Sequence, residues 1–76
     1  MRRYFFDVIG PDRSEYDYSG REMPTAEKAC RLAELIAVDL ALEPDEPWYG
    51  WTINVRSAEG QEFFSVPVEA SHLAAA

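Results

Sequence analysis

His72 and Cys30 are the only histidine and the only cysteine in this chain of 76 residues, which leaves little to build a reaction from. One imidazole and one thiol cannot make a tetrahedral zinc site. A Ser-His-Asp arrangement would need His72 held rigidly, yet it sits in a short C-terminal run with little to pack against. Cys30 shares a helical stripe with Ala26, Ala33 and Ala37, where a free thiol behaves as a small hydrophobe. Asp12, Ser14, Glu15 and Asp17 crowd oxygen ligands together, but without the alternation, central glycine and closing glutamate of a calcium loop. Gly10, Gly20, Gly50 and Gly60 are scattered singly and form no phosphate cradle. No catalytic, metal or cofactor-binding residue is therefore assigned, and the expectation is a protein that is not an enzyme.

Those residues belong to an acidic chain. Fourteen acids against seven bases give a net charge of −7. Affinity for nucleic acid comes largely from neutralising phosphates, so this balance disfavours it; it equally disfavours anionic membranes. The longest apolar-rich stretch, Ala33–Leu42, is broken by Glu34 and Asp39, and nothing reads as a membrane span. Arg2 and Arg3 precede an apolar run that Asp7 and Gly10–Pro11 cut too short for a signal peptide. A lone cysteine rules out an internal disulfide, and a cytoplasmic location is the expectation. The size predicts one domain, with residues 1–70 folded and residues 71–76 a loose tail.

The elements that would position any site are clearer. Arg3–Ile9 gathers aromatic and β-branched residues and ends at Gly10–Pro11, as a strand does. Tyr16–Tyr18 reads as a short returning strand closed by Ser19–Gly20. Thr25–Leu42 is predicted helical: Thr25 is an N-cap after Pro24, and Glu27 lies in the first turn. Ala26, Ala29, Cys30, Ala33, Ile36, Ala37, Leu40 and Ala41 form its apolar stripe, and Pro44 and Pro47 stop it. Trp51–Arg56 alternates strictly, Ser57–Gly60 is a hairpin turn with Gly60 suited to positive φ, and Gln61–Val68 is the last strand. The order is β-β-α-β-β. The predicted fold is α+β, a four-stranded antiparallel sheet with one helix packed on one face. Strand order 2-1-3-4 is favoured because it keeps every pair antiparallel and puts Pro67 on an edge.

Such a fold leaves one sheet face without a second layer. With the helix over Tyr4, Phe6, Val8, Trp51, Ile53, Val55, Phe64 and Val66, the other face carries Phe5, Asp7, Ile9, Thr52, Asn54, Arg56, Phe63 and Ser65. Uncovered apolar groups of this kind mark an association surface. Phe5, Ile9 and Phe63, with Asn54 and Arg56 for polar specificity, are the candidate interaction residues. Trp48 and Tyr49 are a secondary pair, although aromatics there more often cap a small core. The alternative is ordinary packing, with loop residues or the tail over the face and Asp7–Arg56 a surface ion pair.

The expected function is a small non-catalytic protein-interaction module. It would form a homodimer through the free sheet face or a strand edge, or bind another protein. A nucleic-acid-associated regulator, antitoxin-like and using the sheet with Arg2, Arg3 and Arg56, is the alternative. An enzyme with a site in a dimer cleft comes third. No cofactor and no small-molecule ligand is inferred.

Four segments carry a family resemblance across nearly the whole chain. They are the opening Met-Arg-Arg-Tyr-Phe-Phe-Asp-Val, Asp17-Tyr-Ser-Gly-Arg-Glu-Met, the alanine-rich helix, and Trp51-Thr-Ile-Asn-Val-Arg-Ser-Ala-Glu-Gly60. Together they resemble DUF6894, a small bacterial family of unknown function. Members often have histidine where this chain has Asp7, so no ionisable site on the first strand is carried over. The resemblance implies the β-β-α-β-β fold and a bacterial cytoplasm, and transfers no catalytic residues.

Overall fold

The computed structural model describes residues 1–44, 48 and 50–69. Tyr49, His72 and the expected tail at 71–76 lie outside the described residues. Among the described residues there are five strands and one helix: β1 Arg2–Ile9, β2 Ser14–Glu15, β3 Arg21–Met23, α1 Ala26–Ala41, β4 Thr52–Ser57 and β5 Glu62–Pro67. All pairings are antiparallel, in the order β2-β1-β4-β5, with β3 also on β1. The predicted α+β architecture is the observed one, with a correction at the first edge. Tyr16–Tyr18 is not the returning strand; it is the segment between two short ones. β2 pairs with Val8–Ile9 and β3 with Arg2–Tyr4, so both lie along the same edge of β1.

Thr25 caps α1 as expected: its hydroxyl accepts the Lys28 N–H at 3.1 Å from an extended backbone. The helix lays Ala29, Ala33, Ala37 and Ala41 on the sheet. Residues this small let the helix backbone approach closely, so the large side chains come from the strands: Tyr4, Phe6, Trp51, Ile53, Val55 and Val68. Leu32, Ile36, Leu40, Phe64 and Val66 close the margins. The helix therefore covers the face of even-numbered β1 residues. The thinnest dimension is 18 Å, and the described residues form one sheet and one helix with no third layer among them.

Two of the chain reversals beside the core depend on glycine in different ways. Gly60 has φ of 89° in the β4–β5 turn, where Gly60 N–H donates to the Ser57 carbonyl at 2.9 Å. Gly10 is needed for space: a Cβ there would sit 2.6 Å from the Trp51 ring. Pro67 falls on the edge strand, as its missing N–H requires.

Candidate functional site

On β1 and β4 the free face is set by register. Phe5 lies opposite Arg56, Asp7 opposite Asn54, and Ile9 opposite Thr52. Alternation thus brings an anion and a cation to neighbouring rungs, and the Arg56 guanidinium reaches back to Asp7 twice. Nε donates to Oδ2 at 2.9 Å and Nη2 to Oδ1 at 3.2 Å. The pair was expected on the surface, but Asp7 is buried, with 2% of its area exposed. The 16–20 segment buries it by folding from the β1 edge onto this corner.

Asp17 is what holds that segment down. Its Oδ2 accepts the Phe6 N–H at 3.1 Å, replacing the strand partner that β1 lacks between β2 and β3. Its Oδ1 accepts the N–H groups of Ser19 and Gly20 at 3.1 and 2.9 Å, closing a turn that Gly20 completes at φ 73°. The Asp17 backbone is held as well: its N–H donates to Asp7 Oδ1 at 2.9 Å, and its carbonyl accepts from Arg56 Nη2 at 3.2 Å. Arg3 Nη1 adds a bond to the Ser19 carbonyl at 2.8 Å. A Cβ on Gly20 would lie 2.8 Å from the Tyr4 carbonyl and 2.9 Å from Phe5 Cε1, so no other residue fits there.

These bonds set the charges of the corner. Burial pushes the Asp17 carboxyl up, but the N–H groups of Gly20, Phe6 and Ser19, with the Arg56 charge, together hold it below its ordinary value. Arg56 is held more firmly cationic by its hydrogen bonds to Asp7, against the opposing effect of burial. Elsewhere the Cys30 thiol is pushed up by burial and by Glu34 and Glu27, and is a poorer nucleophile for it.

The predicted interaction residues are not gathered into one apolar patch. Phe5 is half-buried beneath Arg56, whose Cζ lies 4.7 Å from the ring centroid. Ile9 is half-buried two rungs away, and Asn54 is half-buried between Asp7 and Ser65 in register. Phe63 is displaced altogether. A register shift opposite Val55–Arg56 takes it out of the alternation, and its ring meets Tyr4 edge-on at 5.8 Å, on the side the helix occupies. Trp48 packs edge-on against Trp51 at 4.8 Å as part of the core margin.

What the free corner does expose is a pair of tyrosines. Tyr18 is 88% exposed and Tyr16 55%, on either side of the pinned Asp17. Sequence reasoning took this segment for a strand. The signal that identifies it is Asp17 followed by Ser19–Gly20, the composition of a side-chain-capped turn. Among the described residues no group of three or more histidine, cysteine or acidic side chains is placed to hold a metal ion. No helix among them is long and apolar enough to cross a membrane.

The model of a domain of unknown function, DUF6894, matches residues 3–69, from the first strand through the last. The chain belongs to the DUF6894 family. The match takes in the whole Asp7–Asp17–Arg56 corner and the tyrosine segment of this DUF6894 domain. Comparison with curated proteins and with solved structures found no match.

Proposed function

We propose that this DUF6894 domain is a non-catalytic protein-interaction module that self-associates through Tyr16, Tyr18 and the free sheet face beside them. The observation that carries the reading is the Asp17 brace. Three backbone N–H groups on its carboxylate, with Asp7 and Arg56 on its own backbone, fix the loop while both flanking rings stay in solvent. Exposed aromatics cost solubility unless used, and tyrosine is among the residues that dominate interface energy. Fixing the loop in advance removes much of the ordering entropy that association would otherwise cost. A second copy can dock loop against free face by a two-fold operation, the commonest symmetry of small homo-oligomers.

The nucleic-acid alternative draws less support. A base-stacking sheet needs bare aromatics, and Phe5 lies under Arg56. The test is molar mass by light scattering across a concentration range, for the parent and for the Tyr16→Ser, Tyr18→Ser double variant. A dimer that the double variant loses, with its thermal unfolding unchanged, is the expected result. A parent that stays monomeric at high concentration, or a variant that still dimerises, would overturn the reading.

A further inference from the structure

A second surface lies where the starts of β1 and α1 meet the β4–β5 turn. Two adjoining depressions there, about 170 and 260 Å3, share Arg2, Tyr4, Ser57 and Glu59 as walls. The larger also reaches Ala26, the first residue of α1, and Phe63. The register shift that removed Phe63 from the free face is what places it here, edge-on to Tyr4.

Three features of this cleft call for negative charge on an apolar body. Arg2 is exposed and makes no ion pair among the described residues. The helix start adds its positive end: Thr25 takes the Lys28 N–H, and Ala26, whose own N–H has no partner within the helix, lines the larger depression. The third is independent of both. Tyr4 lines both depressions with only 5% of its area exposed, and its hydroxyl has no hydrogen-bond partner among the described residues. A buried hydroxyl left unpaired is costly, and a ligand oxygen would relieve it. Tyr4 and Phe63 together supply an aromatic wall. Glu59, a wall of both depressions, opposes negative charge and does so more strongly for a dianion than for a monoanion.

We infer that this cleft binds a small organic monocarboxylate with an apolar body. The carboxylate accepts from the Tyr4 hydroxyl, Arg2 and the first N–H groups of α1, while the body lies against Phe63. Glu59 sets the preference for one negative charge over two.

The experiment is a titration of the 15N-labelled chain with phenylacetate, with inorganic phosphate as the comparison, read from the amide spectrum. Saturable shifts at Ala26 and Glu27 are expected with phenylacetate, at an affinity at least ten-fold above that for phosphate. Tyr4→Phe removes only the hydroxyl and should weaken binding about five-fold. Arg2→Gln should weaken it about ten-fold or more, since a charge-assisted bond is lost. Glu59→Gln should narrow the gap between the two anions. Absence of saturable shifts up to tens of millimolar would overturn the inference, as would phosphate binding equally well. So would binding that neither Tyr4→Phe nor Arg2→Gln weakens in a chain whose spectrum is otherwise unchanged.

Discussion

Asp7 is the residue on which the candidate corner turns, because it is an acid buried on a sheet face that has no second layer among the described residues. Its side chain is 3% exposed against 28% for Arg56, so removing the cation strands a buried anion. Arg56→Met should therefore cost about 3–5 kcal/mol, a large share of the stability of a domain this size. Asp7→Asn in the same chain should restore part of it. A double-mutant cycle by urea unfolding measures the coupling, and purely additive losses would show that the pair is not a unit. Asp17 gives a pH signature. Its carboxyl titrates lower in the folded chain than at the ordinary 3.8, so the folded state binds fewer protons there than the unfolded state does. The stability it contributes is fully present above 3.8 and is lost as pH falls through the lower folded value. Unfolding free energy followed downward from pH 5 should fall, and the fall should be shallower in Asp17→Asn.

At the scale of elements, the helix start and the first turn make separable predictions. Thr25→Ala removes the hydroxyl that satisfies Lys28 N–H and should cost about 1 kcal/mol by thermal or urea unfolding. Gly10→Ala is worse for a different reason. The new methyl would lie 2.6 Å from the Trp51 ring, which is held by Trp48 on one side and capped by the Arg13 guanidinium at 5.0 Å. The ring must shift, at about 1–3 kcal/mol for an overpacked site. A changed tryptophan emission maximum in Gly10→Ala, with none in Thr25→Ala, would separate the two effects.

The whole molecule is two layers with strongly acidic chemistry, and its charge sets how association responds to solution conditions. Two copies each of charge −7 repel, and salt screens that repulsion beyond about 8 Å at physiological strength. Dimerisation through the tyrosine loop should therefore strengthen between 20 mM and 300 mM salt, read as a falling dissociation constant by sedimentation. The nucleic-acid alternative predicts the reverse sign for its own complex, since phosphate binding weakens with salt.

The periodicities by themselves determined the α+β class, the bounds of α1 to within a residue, its Thr25 cap, the β4–β5 turn at Gly60 and the edge position of Pro67. The helix bounds, the cap and the turn depend on neighbours within a few residues, where spacing and backbone preference act directly, and the edge position of Pro67 follows from its missing N–H. Which face the helix would cover was not legible, because β1 is apolar on both sides. The four small alanines, matched to the large residues on one sheet face, show it only once the layers are assembled. Phe63 was misplaced because a single register shift moves a side chain across the sheet, and no local composition marks it. Asp7, Asp17 and Arg56 were each visible as charges. The Asp7–Arg56 pair was legible as a surface contact, but its burial beneath Asp17 was not, because Asp17 joins the corner through a carboxylate that stands in for a missing strand. Only the tertiary structure decides such a contact, since its energy comes from the burial that the finished fold creates.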